Sequence, residues 1–289
     1  MAYPTAEPSG SSGIPAASSG VIVVTGAAGG IGRAVVRRLL ADSLRVVATD
    51  VNADALAELA ADHGPGTAAD GLLECRGLDI RDAAAVERTI HAIDDELGAI
   101  DGLVNAAGIL WPGSALSQDD DEWQAMHDVN VGGVMRVSRA VGRKMAVRHR
   151  GAIVTVGSNA AAVARDGLSA YAASKAAARQ YTLCLGVELA PLGIRCNVVS
   201  PGSTNTPMLT GAWSGEPAAT HGAAGERAQG AAERRAVAGT PEAFWPGIPL
   251  GRIAQPAHIA DAVAFLLSPR AAHIALHDLR VDGGATLGS

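Results

Sequence analysis

The sequence contains no run of about twenty apolar residues that could span a bilayer, and its N-terminus lacks the basic-then-apolar pattern of a signal peptide. These two absences lead to the expectation of a cytoplasmic protein with no membrane association. Positive charge is not in excess either: the formal net charge is −6 and the pI about 5.7. Such a chain offers no electrostatic footprint for nucleic acid or an anionic lipid surface, which leaves small molecules as the expected partners. Cysteine is rare, with Cys75, Cys184 and Cys196 far apart and in no C-x-x-C or other metal-ligand spacing. All three are expected to be reduced and structural, and no metal site is expected. Aromatic residues contribute only 3%, so those that touch a ligand should be few and identifiable.

What the chain has instead is aliphatic bulk. Hydrophobic residues, mostly Ala, Val, Leu and Ile, make up 48%, which suits buried parallel strands covered by Ala-rich helices. A length of 289 residues allows one large α/β domain and is short for two. Residues 1–20 are rich in Ser, Pro, Gly and Ala without apolar periodicity, and are expected to form a disordered tail. Over 21–289 short apolar runs alternate with helical stretches, the pattern of βαβ units. Strands are expected at Val21–Thr25, Leu44–Thr49, Leu72–Leu78, Ile100–Asn105, Ala152–Gly157, Ile194–Val199 and Asp278–Val281. Seven strands separated by helices predict a single-domain, Rossmann-like doubly wound parallel sheet with helices on both faces, its ligands along the edge formed by the strand C-termini. Residues 207–247 break that rhythm with Ala, Gly, Glu and Pro and no strand. They read as a substrate lid, with a disordered insertion as the alternative.

The first strand runs into Thr25-Gly26-Ala27-Ala28-Gly29-Gly30-Ile31-Gly32, followed by a helical run from Arg33 to Leu40. Glycines let the backbone turn sharply and approach a pyrophosphate, and the helix N-terminus adds free N–H groups and a positive dipole end. Gly26, Gly30, Ile31 and Gly32 are thus cofactor-binding candidates, strengthened by their place after the first strand. The second strand leads to Asp50, whose carboxylate can accept hydrogen bonds from the adenosine ribose hydroxyls and would repel a 2′-phosphate. The expected cofactor is therefore NAD. A cap on the helix starting near Asn52 is a compatible role for Asp50. Asp79, ending the third strand, reads either as an adenine-edge contact or as a helix cap.

Tyr171 and Lys175 stand four apart in an expected helix, which puts both side chains on one face. An ammonium beside a phenol favours phenolate, and bringing a tyrosine from about 10 towards 7 takes roughly 4 kcal/mol. That would make Tyr171 a general base for a hydroxyl proton. Ser158, just beyond the fifth strand, can orient the substrate oxygen, while Asn130 in the preceding helix reads equally well as an ordinary polar residue.

In this order, Thr25 to Gly32, Asn105-Ala106-Ala107-Gly108, Asn130, Ser158, Tyr171/Lys175 and Pro201-Gly202 resemble the short-chain dehydrogenase/reductase family over residues 21–289. The resemblance implies a catalytic tetrad of Asn130, Ser158, Tyr171 and Lys175. It further implies that Lys175 holds the nicotinamide ribose, and that Asn130 supports a water relaying protons to it. Asn105 to Gly108 would line the cofactor cleft, Ile153 to Gly157 would flank the nicotinamide, and Pro201, Gly202, Thr204 and Thr206 would complete the site. A homotetramer is implied on the same ground.

Within that family, Val104 to Leu110, Arg195 to Thr204, Gly247 to Leu250, Val281 to Gly288 and Trp213 resemble the 2,3-dihydro-2,3-dihydroxybenzoate dehydrogenase group, which oxidises a cyclohexadiene diol to a catechol used in siderophores. The long N-terminal tail and the enlarged stretch from Trp213 to Trp245 depart from that group. Three alternatives stay open: oxidation of trans-2,3-dihydro-3-hydroxyanthranilate in antibiotic biosynthesis, a general ketoreductase, and a non-catalytic NAD-binding regulator. A ring carboxylate entering an otherwise apolar pocket needs a cation, since a buried unpaired charge is costly. Arg165, between Ser158 and Tyr171, is the candidate, with an exposed loop arginine as the other reading; Met208 and Trp213 would close over the ring.

Overall fold

The computed structural model describes residues 20–63, 71–214, 230, 233–240 and 247–286. The expected tail over 1–19 and most of the expected lid lie outside them. Within them the strands are β1 (Val21–Thr25), β2 (Arg45–Asp50), β3 (Leu73–Gly77), β4 (Ile100–Asn105), β5 (Gly151–Val156), β6 (Ile194–Pro201) and β7 (Asp278–Val281). The principal helices are α1 (Gly30–Ala41), α2 (Ala53–Asp62), α3 (Ala83–Leu97), α4 (Asp120–His127), α5 (Val134–Arg148), α6 (Ser169–Leu189), α7 (Pro207–Ser214) and α8 (Pro256–Leu267).

The strands form one sheet in the order β3-β2-β1-β4-β5-β6-β7, and every pairing is parallel. Three of the seven expected strands have the expected bounds, and β6 runs two residues further, to Pro201. Pairing with β7 accounts for the extension, because Ser200 and Pro201 stand opposite Arg280 and Val281.

Alternation along β1 assigns the two faces. Ile22 and Val24 join a core with Val35, Val36 and Leu39 of α1 and Ile259 and Val263 of α8. Val21 and Val23 point the other way, into Ile90 and Ile93 of α3 and Val137 and Val141 of α5. Both faces being covered, β1 is fully buried and carries no polar alternation.

Leaving β1 the chain winds outward through β2 and β3, then returns to β4 on the other side of β1. This reversal opens a crevice outside the C-terminal ends of β1 and β4, where ligands of doubly wound sheets bind. All three cysteines are free, as expected. Cys184, however, is exposed on α6, so it is not a core residue as Cys196 is.

Candidate active site

Gly26 turns the chain out of β1 in the left-handed region, φ +63°. A Cβ there would collide with the Ala107 backbone beyond β4, so the two turns approach only because residue 26 is glycine. Helix α1 then starts at Gly30 with no side chain capping it, leaving its first N–H groups and positive end facing the cleft. The cradle fits a pyrophosphate. It forms part of a cleft of about 550 Å³ lined by Gly26, Gly30, Ile31, Gly32, Asp50, Asp79 and Gly108 among others.

Asp50 holds this turn from β2: one carboxylate oxygen accepts from Ala28 N at 3.0 Å and the other from Asn52 N at 3.0 Å. The cap of α2 is Asn52, which accepts from Ala55 N, and not Asp50. Asp79 likewise caps nothing, since Asp82 caps α3. Its carboxylate is held in two contacts by Arg81, at 2.7 and 3.0 Å; hydrogen bonds from that guanidinium outweigh partial burial and pull its pKa down. Arg81, a lining residue the motifs did not signal, belongs to the same cleft.

Asn105 does not line either cleft. Its amide nitrogen donates inward to Ser138 Oγ at 2.8 Å and Thr155 Oγ1 at 3.2 Å, so the wall is built by Ala106, Ala107 and Gly108. Similarly, Val156 and Gly157 border the second cleft whereas Ile153 is core, because strand alternation turns it away.

That second cleft, about 430 Å³, shares Ile31, Ala106, Gly108, Thr206 and Met208 with the first. Ser158, Tyr171 and Lys175 line it. Ser158, two residues beyond β5, has extended backbone and caps the following short turn. Its hydroxyl accepts from Ala160 N at 3.1 Å and faces the same cleft as the Tyr171 phenol. Burial raises the Tyr171 pKa, against the neighbouring Ser158 hydroxyl and the Arg165 charge, which lower it. Arg165 thus adds a second cation near this phenol besides the expected Lys175, whose Nζ donates to Val156 O at 3.0 Å. The ammonium lies 5.9 Å from the Tyr171 ring centroid.

Lys175 is buried and its pKa is pulled down to about 8 by loss of hydration. With an unfolded value near 10.5, the unfolded chain holds more protons between those two pH values, so this group penalises folding fully below about pH 8 and loses the penalty as pH rises to about 10.5. The penalty is on the order of 3 kcal/mol. Lys175→Met is therefore expected to melt at a higher temperature at pH 7, with the advantage shrinking towards pH 10; parallel thermal scans at the two pH values check this.

Asn130 sits in a π-helical turn (Asp128–Gly133), not in the regular helix expected, and is fully buried. The wider turn aims it inward. Its Oδ1 accepts from Ile109 N at 2.9 Å, and its Nδ2 donates to Ile109 O at 2.9 Å and Ser174 Oγ at 3.0 Å. A Cβ on Gly108 would stand 3.2 Å from both Asn130 Oδ1 and Lys175 Nζ, so that glycine leaves the two groups room to face one another.

The remaining expected residues gather around this tetrad. Pro201, Gly202, Thr204, Thr206 and Met208 line the second cleft, and so does Arg165, half-buried where the alternative reading had it exposed. Trp213 falls within α7, but its side chain is outside the described residues. Sequence reasoning missed Leu110, Pro112, Leu168, Leu209, Arg235 and Thr240, which also line the cleft. They come from four separate segments and share no motif.

The family described as short chain dehydrogenase matches residues 20–217, and that described as enoyl-(acyl carrier protein) reductase matches residues 229–286. The 2,3-dihydro-2,3-dihydroxybenzoate dehydrogenase of Bacillus subtilis (strain 168) is 45% identical over 269 residues, 93% of this chain and 96% of its own. The vibriobactin-specific 2,3-dihydro-2,3-dihydroxybenzoate dehydrogenase of Vibrio cholerae serotype O1 (strain ATCC 39315 / El Tor Inaba N16961) is 40% identical, covering 92% of this chain and 95% of its own. Among solved structures, levodione reductase superposes with a TM-score of 0.83 at 28% identity, covering 95% of this chain and 100% of its own. With the cradle, the serine–tyrosine pair and the buried lysine at one sheet edge, the chain belongs to the short-chain dehydrogenase family.

Proposed function

We propose that this chain is an NAD-dependent dehydrogenase that oxidises 2,3-dihydro-2,3-dihydroxybenzoate to 2,3-dihydroxybenzoate, a siderophore precursor. The observation that carries the reading is one cleft in which Ser158 and Tyr171 face the same space as the half-buried Arg165. A hydroxyl-handling pair beside a guanidinium suits a substrate that is at once an alcohol and a carboxylate. The printed activity of the two relatives supports the same substrate.

Family and fold together indicate a nicotinamide cofactor. Gly26, Gly30, Ile31 and Gly32 would hold its pyrophosphate, Asp50 its adenosine ribose and Lys175 its nicotinamide ribose. Bound there, the oxidised cofactor supplies the hydride acceptor and a positive charge near the phenol. Ser158 Oγ orients the substrate hydroxyl, and Tyr171 Oη accepts its proton. Lys175 and Asn130 hold the site in register, and Asn130 is the residue to support a proton-relaying water. The ketone formed tautomerises to the aromatic ring, which makes oxidation effectively irreversible.

NAD rather than NADP is supported by the charge around Asp50. Arg33, the guanidinium beside the turn, is already bound to Ala28 O, Ala55 O, Glu58 and Asp62. Met208, Arg235 and Thr240, which line the cleft, are read as parts of the substrate lid expected over 207–247. A homotetramer rests on the family resemblance, and a cytoplasmic location on the sequence pattern; no helix among the described residues is long and apolar enough to cross a membrane.

Incubation with NAD and either the 2,3-dihydroxy compound or its 2-amino analogue, following NADH absorbance, tests the substrate. Turnover of the diol is expected; oxidation of the amine alone would overturn the assignment. Arg165→Leu is expected to raise KM for the carboxylated diol by about tenfold or more, the value of a charge-assisted hydrogen bond, and to raise it far less for an uncharged cyclic alcohol. Equal losses would mean that the carboxylate binds elsewhere, with Arg235 the next guanidinium to test.

A further inference from the structure

Arg165 is not held by its own loop alone. Its Nη1 donates to Asn159 Oδ1 at 2.7 Å. Asn159 is 1% exposed, and its Nδ2 donates onward to Asp282 Oδ2 at 3.2 Å. Asp282, just after β7, is itself fixed: Oδ1 accepts from Gly284 N at 3.0 Å, and Oδ2 from Thr286 N at 3.0 Å and Thr286 Oγ1 at 2.5 Å. A buried chain of hydrogen bonds thus runs from the C-terminal turn, past the residue next to Ser158, into the cleft.

We infer that Asn159 and Asp282 are positioning residues that aim Arg165 at the substrate carboxylate, an inference that rests on the carboxylate-binding role proposed for Arg165.

The logic lies in hydrogen-bond polarity. An ionised carboxylate only accepts, so Asp282 forces the NH₂ end of the Asn159 amide towards itself. The carbonyl end must then face Arg165, whose guanidinium only donates. Asp282 in turn stays ionised, because the hydrogen bonds from Thr286, Asn159 and Gly284 outweigh its burial and hold its pKa down. With Asn159 bonded to both, the negative charge steadies the arginine through the amide, and the guanidinium stays on the cleft wall. A site reading a carboxylate in two parallel hydrogen bonds needs such a fixed plane. Leaving a long arginine to find its own rotamer would surrender part of that discrimination.

The test compares KM for the carboxylated cyclohexadiene diol with KM for an uncharged cyclic alcohol in wild type, Asn159→Leu, Asp282→Asn, Arg165→Leu and the Asn159→Leu/Arg165→Leu double variant. Asn159→Leu keeps the branched shape and removes both polar ends. It is expected to lower the charged-to-neutral preference by about tenfold, and to add almost nothing in the Arg165→Leu background, since coupled residues are not additive. Asp282→Asn, which keeps the shape should Asn159→Leu fold poorly, removes the polarity constraint and is expected to lose about threefold to tenfold of the same preference. Equal losses on both substrates, or additivity in the double variant, would overturn the positioning role. A wild-type preference in both Asn159→Leu and Asp282→Asn, with Arg165→Leu discriminating, overturns it while leaving the carboxylate reading intact. Should Arg165→Leu itself fail to discriminate, the carboxylate reading fails and the positioning role with it.

Discussion

Tyr171→Phe is expected to lower turnover by at least about 10²-fold while leaving cofactor affinity near the wild-type value. The substitution keeps the ring and removes only the phenol oxygen that faces the cleft with Ser158, so packing in the cleft survives. Burial holds the free phenol above its ordinary range. The wild-type rate of alcohol oxidation should therefore rise with pH as Tyr171 loses its proton, and that limb should vanish in the phenylalanine variant. Lys175→Ala is expected to differ in kind, weakening cofactor binding as well as turnover, because its ammonium reaches the end of β5 at Val156 rather than the substrate side alone. Steady-state kinetics across pH, with cofactor binding followed by fluorescence, separate the two. Near-normal kcat in Tyr171→Phe would show that the proton leaves by another route.

The cofactor preference should answer to Asp50. Like charges about 4 Å apart in a surface site of effective dielectric near 20 repel by roughly 4 kcal/mol. Asp50 is only half-buried, so screening reduces this, leaving a preference for NAD over NADP in kcat/KM on the order of 10²-fold. Asp50→Asn removes the charge and keeps one acceptor oxygen, so only one of the Ala28 and Asn52 N–H groups stays bonded; it should admit NADP at a moderate cost in NAD use. Asp50→Ala also releases the turn and should lose activity with both cofactors as the preference erodes. Equal use of NAD and NADP by the wild type would remove Asp50 from that role.

The sheet was legible because its strands are buried on both faces. Val21–Thr25 is a continuous apolar run for that reason, and such runs stand out between Ala-rich helices. The glycine turn was equally legible, since a backbone that must pass close to another backbone tolerates little else, as Gly26 against Ala107 requires. Tyr171 and Lys175 could be paired by helical spacing alone, and the serine, asparagine and glycine motifs by their order. These features are set by neighbours in sequence.

Other features depend on neighbours in space. That Asn52 rather than Asp50 caps α2, and that Asn105 faces Ser138 and Thr155 instead of the cleft, follow from which groups lie within hydrogen-bond reach once the sheet has formed. The π-helical turn that buries Asn130 was not signalled by helical periodicity, and the Asn130 amide finds its partner in Ile109, on the loop after β4. Arg165 was suggested by its position between two motifs, but its setting is made by Asp282, which lies more than a hundred residues away and reaches it only through Asn159. Local propensity and periodicity thus determined the elements, and spacing and the order of motifs the candidate reacting side chains. The direction in which each polar group points was decided by the tertiary structure, because a hydrogen bond's geometry exists only when both of its ends have been brought to one place.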